Sequence, residues 1–265
     1  MIYIAFLFFT IIILIFVFYQ WQYFMVFTPT FRRGEKLCDN CGFLSIVTDD
    51  KIELEGAIYE PKNPRVTLLV FVGRSHDSVG LMSKLSCNYP DVRVISFNYR
   101  SYGNSKGVAN EKNLLKDSLK IAELVQKNYG SFYTLGFSLG SNIASFMASK
   151  HPTNGLFLVG AFDSIASLAK TKFVDKSFFP MLNLSKVFRY KFPTSKYVNS
   201  IEASAWLFVS TDDETTYIQN ARALRDKVQN LAGYYELENL SHKELLWDDE
   251  VILKINEVLH DKSTF

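Results

Sequence analysis

From Ile2 to Tyr19 every residue except Thr10 is apolar or aromatic, and no Lys, Arg, Asp or Glu occurs before Arg32. At about 1.5 Å of rise per residue, a helix over these positions reaches about 27 Å, close to the hydrocarbon thickness of a bilayer. Tyr19, Trp21 and Tyr23 fall where an interfacial aromatic belt would lie, and Arg32 and Arg33 end the apolar run. A cleaved signal peptide would carry a basic n-region, an apolar core of about 7–15 residues and a small-x-small cleavage site, none of which is present. A buried core helix of this length would show a polar stripe. The pattern predicts one transmembrane helix over 1–27 and a juxtamembrane linker over 28–44. Arg32, Arg33 and Lys36 favour a cytoplasmic position for the rest of the chain.

Beyond residue 45 the pattern changes. Ser45 to Tyr59 alternates in places around a Thr-Asp-Asp-Lys interruption and predicts a hairpin. Val66 to Val72 is a continuous apolar run bounded by Pro64 and Gly73, the signature of a strand buried on both faces. Val92 to Phe97, Phe132 to Leu135, Gly155 to Val159 and Ala205 to Val209 repeat it. Helical patterns lie between several of these, over Asn113 to Asn128, Ser141 to Lys150 and Thr216 to Asn230. Strands alternating with helices predict an α/β domain over 45–265, built on a doubly wound, mostly parallel sheet. The stretch 161–200 breaks the alternation and is too long for an ordinary connection of about 2–6 residues, which marks it as a small cap insertion.

Composition narrows the classes. With 265 residues, 48% hydrophobic and 21% charged, 13 Gly and 7 Pro, the chain is neither disordered nor collagenous. A net charge of +2 gives no basic field for nucleic acid. Three cysteines cannot make a fully paired disulfide framework.

Gly136-Phe137-Ser138-Leu139-Gly140 is G-x-S-x-G placed between a predicted strand and a small-residue helix start. Such a match arises by chance in about one chain in ten of this length, so the strand–turn–helix setting carries the weight. A nucleophilic hydroxyl needs a base, and the base needs a carboxylate to orient it. Of the four histidines, His76 precedes the serine, His151 ends the following helix and His260 lies in a charged C-terminal tail. His242 sits in a loop after the strand-like Tyr234 to Leu237. The carboxylate is expected in Ser210-Thr211-Asp212-Asp213-Glu214, where three acids compete and where an acidic turn that merely caps a helix is the alternative. The chain order Ser138, then Asp, then His242 is the one described for α/β-hydrolases. Backbone donors for an oxyanion are expected from Leu139 and from Arg74 in the turn after the first buried strand.

Phe97-Asn98-Tyr99-Arg100-Ser101-Tyr102-Gly103-Asn104-Ser105-Lys106-Gly107 resembles the F-D-Y-R-G-Y-G-x-S-x-G signature of Bem-type membrane-anchored α/β-hydrolases. That family is related to protein depalmitoylases and prolyl-oligopeptidase-like serine hydrolases. The resemblance runs from about Cys38 to the C-terminus, through Ala161-Phe162-Asp163-Ser164-Ile165 and Ser241-His242. Aligned with the family's G-T-x-D-E turn, Ser210 to Glu214 gives Asp213 the role of triad acid. The resemblance implies an α/β-hydrolase fold behind an N-terminal anchor and a Ser138, Asp213, His242 triad. Two departures stand out: Val72-Gly73-Arg74-Ser75 where the family has H-G-N-A, and Asn98 and Ser101 where it has Asp and Gly.

Cys38-Asp39-Asn40-Cys41 has the spacing of half a zinc site but no second pair, so it is expected as a small loop disulfide in an exported domain or as two thiols in the cytoplasm. The Lys- and Phe-rich stretch from Lys170 to Lys196 suits either an ordinary cap or a surface resting on lipid. The expected activity is hydrolysis of ester, thioester or amide bonds in a small or acylated, lipid-like substrate, without metal or organic cofactor. A silent hydrolase-fold scaffold and a peptidase or amidase of the same fold are the alternatives. Oligomeric state is not legible.

Overall fold

The computed structural model describes residues 2–31, 37–174 and 188–261. Arg32, Arg33 and Lys36, on which the orientation rests, and Phe178, Phe179 and Pro180 of the expected cap lie outside the described residues.

Helix α1 spans Ile2–Val26. Its one aliphatic hydroxyl in the apolar run, Thr10, donates to the Phe6 carbonyl at 2.9 Å, so the helix satisfies that polar group itself. From Tyr3, 88% exposed, to Val17 the helix stands clear of the domain, and Phe18 and Tyr19 then meet Phe188 and Arg189. One face of its end is buried: Gln22, Val26 and the following Phe27 are almost fully covered, while Phe24 stays exposed.

The domain is one eight-stranded sheet in the order β1-β2-β4-β3-β5-β6-β7-β8. Strands β1 (Cys41–Val47) and β2 (Glu53–Tyr59) form the expected hairpin, and β2 pairs antiparallel with β4 (Arg93–Phe97). The hairpin starts four residues earlier than its hydropathy suggests, because Cys41 to Leu44 pair with Gly56 to Tyr59 while remaining only partly buried. Strands β3 (Thr67–Phe71), β5 (Tyr133–Phe137), β6 (Leu156–Val159), β7 (Ala205–Ser210) and β8 (Leu231–Leu237) continue the sheet in parallel. β3, β5 and β6 are buried along their whole length, which is why they read as unbroken apolar runs.

The connecting helices are α2 (Ser78–Asn88), α3 (Glu111–Tyr129), α4 (Leu139–Ala148), α5 (Ile165–Ala169), α6 (Thr194–Tyr197), α7 (Ile218–Arg225), α8 (His242–Leu245) and α9 (Asp249–His260). Helix α2 was not expected. Its buried face of Val79, Met82 and Leu85 and its N-cap Asp77, which accepts from the Val79 and Gly80 amides, are its sequence signals. Helix α7 is shorter than the expected 216–230, and His260 ends α9 rather than lying in a tail, with Nε2 2.7 Å from Asp91.

The strand order locates the site. The chain leaves β3 towards β4 on one side, and leaves β5 towards β6 on the other. Right-handed crossovers then send α2 and α4 to opposite faces, and a crevice opens where the neighbouring ends of β3 and β5 diverge.

Arg100 fastens the loop after β4 beside that crevice. Its guanidinium meets Asp117 of α3 through two bonds of 2.8 and 2.7 Å and Asp50 of the β1–β2 turn through two of 2.6 and 2.7 Å. Arg100 and Asp117 are both buried, whereas Asp50 is at the surface. Arg100→Met leaves the Asp117 carboxylate buried without its partner, with an expected loss of about 3–5 kcal/mol of stability. Asp50→Ala is expected to cost much less, because water replaces the bond. Urea unfolding of the detergent-solubilised chain measures both, and equal losses would refute this ranking.

Candidate active site

Ser138 joins β5 to α4 with φ 54° and ψ −118°. A residue with a side chain is strained at positive φ, and the close packing around the turn holds it there. A Cβ on Gly136 would fall 2.6 Å from the Gly140 carbonyl oxygen, and one on Gly140 would collide with the carbonyl of Phe71 in β3. Only glycine at both places lets α4 start directly against the sheet. The Ser138 amide donates to Val159 at 2.9 Å, and its carbonyl accepts from the Ser141 amide and hydroxyl at 2.9 and 2.6 Å.

The structure brings Ser138, His242 and Asp213 together. Ser138 Oγ lies 2.8 Å from His242 Nε2, and His242 Nδ1 lies 2.7 Å from Asp213 Oδ2. All three are buried. The imidazole stacks on Phe137 at 5.0 Å between ring centres. His242 does not sit in a loop as expected but opens the short helix α8. Ser241, the residue before it, accepts and donates through a capping box with Glu244.

The three competing acids hold three different atoms of the segment around His242. Asp212 accepts from the Asn239 amide at 2.8 Å, Asp213 takes the imidazole, and Glu214 accepts from the His242 amide at 3.1 Å. Asp213 also accepts from the Thr215 and Thr216 amides at 2.7 and 2.6 Å and from the Thr216 hydroxyl at 2.5 Å. Asp213 thus closes a local turn and holds the imidazole with one carboxylate, whereas helix α7, starting at Ile218 after Tyr217, takes no side-chain cap from the three acids. Burial alone would push the Asp213 carboxyl up, but the His242 hydrogen bond and charge, with the Thr216 hydroxyl and amide, outweigh it and hold it below the ordinary value.

Arg74 and Leu139, the expected oxyanion donors, line one cavity with Ser138. Two hydroxyls from the loop after β4 fix the turn that carries Arg74. Tyr99 donates to the Val72 carbonyl and Tyr102 to the Arg74 carbonyl, both at 2.6 Å. The Tyr102 oxygen also accepts from the Thr28 amide just past α1. His76 packs edge-on against Phe137 at 5.5 Å, and burial together with the charges of His242 and Lys243 lowers its pKa.

Both departures in that loop have local reasons. Asn98 accepts from the Ser78 amide at 2.7 Å while its NH2 donates to Asp77 and Glu55 at 2.9 and 3.1 Å, which a third carboxylate could not do. Ser101 keeps a positive φ of 70°, and its hydroxyl donates to Gly107 and accepts from Ala109. Arg74, which stands where the usual turn has Asn, sends its guanidinium to the Met25 carbonyl at the end of α1. Cys38 and Cys41 are joined to each other as a disulfide.

Sequence reasoning missed Thr216 and the contributions of α1. Thr216 follows Asp213 at the spacing of an Asx-type turn, a local signal. Trp21, Met25 and Val26 line the cavity only through tertiary docking, for which the sequence carries no periodic signal.

No family model matches the chain. Solved structures match over most of it. An esterase of Pyrococcus furiosus superposes with a TM-score of 0.68 at 15% identity, over 88% of this chain and 97% of the other. An α/β-hydrolase of Vibrio vulnificus gives 0.67 at 16% identity, over 86% and 82%. An acetyl xylan esterase of Paenibacillus sp. R4 gives 0.68 at 14% identity, over 86% of each. The chain has the α/β-hydrolase fold.

An Asp in the unfolded chain titrates near pH 4, about 3.9, above the lowered folded value of Asp213. Ionised Asp213 therefore stabilises the fold above about pH 4, and this contribution is lost as the pH falls through the folded value. Asp213→Asn is expected to be less stable than the wild type at pH 7, with the gap closing on acidification through that window. Urea melts at pH 7 and near pH 3 test this, and a gap that does not narrow would refute it.

Proposed function

We propose that the chain is a membrane-anchored serine hydrolase acting on ester or thioester carbonyls through an acyl-enzyme. The observation that carries this reading is the continuous hydrogen-bonded line Ser138–His242–Asp213, with its hydroxyl on a strained turn facing a cavity. The esterase titles of two of the similar structures support it.

In the proposed reaction Ser138 Oγ attacks the carbonyl carbon while His242 Nε2 takes its proton. Asp213 stabilises the imidazolium through Nδ1. The oxyanion of the tetrahedral intermediate accepts from the Leu139 and Arg74 amides. Collapse of the intermediate breaks the bond to the leaving group, which departs with the proton from His242. Water then repeats the attack on the acyl-enzyme, His242 taking its proton and returning it to Ser138, and the acid is released.

The anchor reading is supported by how α1 ends. A signal sequence is removed after its apolar run, whereas here Gln22, Val26 and Phe27 are built into the domain. The Gln22 amide oxygen accepts from the Arg189 amide at 2.6 Å, and Phe27 packs edge-on against Tyr190 at 4.9 Å. For orientation, the basic flank favours the cytoplasm, while the Cys38–Cys41 disulfide favours an oxidising compartment. We take the flank as the stronger signal, because a disulfide closing so short a loop constrains the unfolded chain less than one closing a long loop and so adds less to the fold.

A fluorophosphonate probe is expected to label the detergent-solubilised chain at Ser138. Labelling vanishes in Ser138→Ala, and ester turnover falls by about four orders of magnitude or more in Ser138→Ala and His242→Ala. Folded wild-type protein that neither labels nor turns over esters would leave the silent scaffold as the reading. A reporter fused after Phe265 is expected to be active only on the cytoplasmic side, with Cys38 and Cys41 open to alkylation in cells. A blocked pair and a reporter active only outside would reverse the orientation.

A further inference from the structure

The cavity in front of Ser138 is shared between the domain and the anchor. It holds about 290 Å³, near the low end of the roughly 300–1,000 Å³ usual for small-molecule sites. Trp21, Met25 and Val26 of α1 form one wall, and Phe162, Ile165 and Leu168 from the cap side form another. Ser138 and Thr216, whose hydroxyl lies 3.3 Å from His242 Nδ1, make the end beside His242 polar, and Arg74, Lys172 and Thr215 complete the polar lining.

The helix fixes where this cavity lies relative to a bilayer. Residues from Tyr3 to Val17 stand clear of the domain, a length of about 22 Å, and Phe18 and Tyr19 already meet Phe188 and Arg189, so the edge of the domain reaches the rim of a hydrocarbon core of about 30 Å. Gln22 is buried, while Phe24, 69% exposed, still faces outward. Trp21 is thus both an interfacial aromatic of the span and a lining residue of the cavity, and Met25 lies one helical turn further in. No free linker separates span from site. Arg74 caps the Met25 carbonyl, Gln22 accepts from Arg189, and the Thr28 amide donates to Tyr102.

We infer that the last two turns of α1 are a wall of an acyl-chain pocket whose mouth lies at the membrane surface, so that the substrate is a bilayer-resident amphiphile with a single acyl chain bearing the scissile carbonyl. The chain enters between Trp21 and Met25 on one side and the α5 face on the other, and its carbonyl stops at Ser138. Water-soluble short-chain esters fill the polar end alone and gain nothing from the apolar walls. The substrate class rests on the serine-hydrolase reading, whereas the pocket itself does not.

Two measurements on the full-length chain in phosphatidylcholine nanodiscs separate the two. In Ser138→Ala, dodecanoic acid carrying a terminal diazirine is expected to crosslink saturably to Met25 and to the Ile165–Ala169 peptide, with excess dodecanoic acid competing. Crosslinks confined to the lipid-facing run Tyr3–Tyr19 would overturn the pocket, whatever the probe labelling shows. In the catalytically competent chain, Met25→Trp narrows the wall, and the ratio of kcat/KM for dodecanoyl over acetyl p-nitrophenyl esters is expected to fall about tenfold or more. An unchanged ratio would overturn the inference. Saturable crosslinking in a chain whose wild type shows no fluorophosphonate labelling would uphold the pocket and overturn the hydrolase reading alone.

Discussion

Ser138 is held at a positive φ of 54° that costs a residue with a side chain on the order of 1–2 kcal/mol, and the surrounding fold exists in a form that makes this the only fit. The turn can close only if α4 meets the sheet without intervening side chains, hence Gly136 and Gly140. It can stay closed only if the strands beneath do not give, hence the fully buried β3, β5 and β6. A hydrogen bond to the Val159 carbonyl on one side and two from Ser141 on the other engage the Ser138 backbone at both ends. The strain lifts the hydroxyl out of the sheet edge towards the crevice between diverging crossovers, where the imidazole of His242, just past the end of β8, meets it at 2.8 Å.

His242 arrives at the first position of the four-residue helix α8, directly after a short connection from β8, so charge does the positioning that packing does elsewhere. Asp212, Asp213 and Glu214 would repel one another if they faced the same point. They are spread over an amide before His242, the imidazole, and the amide of His242 itself. Each carboxylate thus satisfies a different donor, and together they fix the ring's rotation and tautomer: Nδ1 carries its proton towards Asp213, which leaves Nε2 free to accept from Ser138. The loop after β4 works in the same way on the other side of the crevice. Arg100 nails it to α3 and to the β1–β2 turn, and its two tyrosine hydroxyls then hold the carbonyls of the turn opposite Ser138. The Arg74 amide belongs to the Gly73–Arg74 peptide between those two carbonyls, and the Gly73 carbonyl accepts from the His76 amide at 3.2 Å, so three successive peptide planes of the turn are held, as the proposed oxyanion donor requires.

Much of this was legible because it is encoded locally. Buried parallel strands are continuous apolar runs, the G-x-S-x-G turn announces its own sterics, and the order Ser138, Asp213, His242 follows from the topology of the sheet. The misses share one cause. Helix α2 has only a modest apolar face, and β1 begins in Cys41 to Leu44, whose pairing is set by β2 rather than by their own hydropathy. His242 opening α8 depends on a capping box over four residues, too short to show a period. Thr216 matters through one hydroxyl bond, and Trp21 and Met25 through docking across a distance in sequence that no periodicity spans. Asp213 was separable from Asp212 by alignment with a family turn, while the structure separates them by direction: the carboxylate that faces inward accepts the imidazole.

If α1 is the anchor proposed above, its docking can be weighed against the alternative, a tethered domain that tumbles below the bilayer. Burying Val26 and Phe27 is worth about 1.5–3 kcal/mol each. The usual charge against such a gain is the entropy of ordering the backbone, about 1–2 kcal/mol per residue, but here the backbone is already ordered as the continuation of a helix held by lipid. Most of the gain therefore survives, enough for a docked population larger by a factor of about 10²–10⁴ than the free one. The bond from Arg74 adds a coupling that a simple anchor would lack. The same residue lines the cavity beside Ser138 and sends its guanidinium to the Met25 carbonyl at the end of α1, where the helix dipole favours a cation. A displacement of the helix end is therefore felt at the turn beside Ser138, and in the proposed anchoring the position of the span and the geometry of the site become one variable.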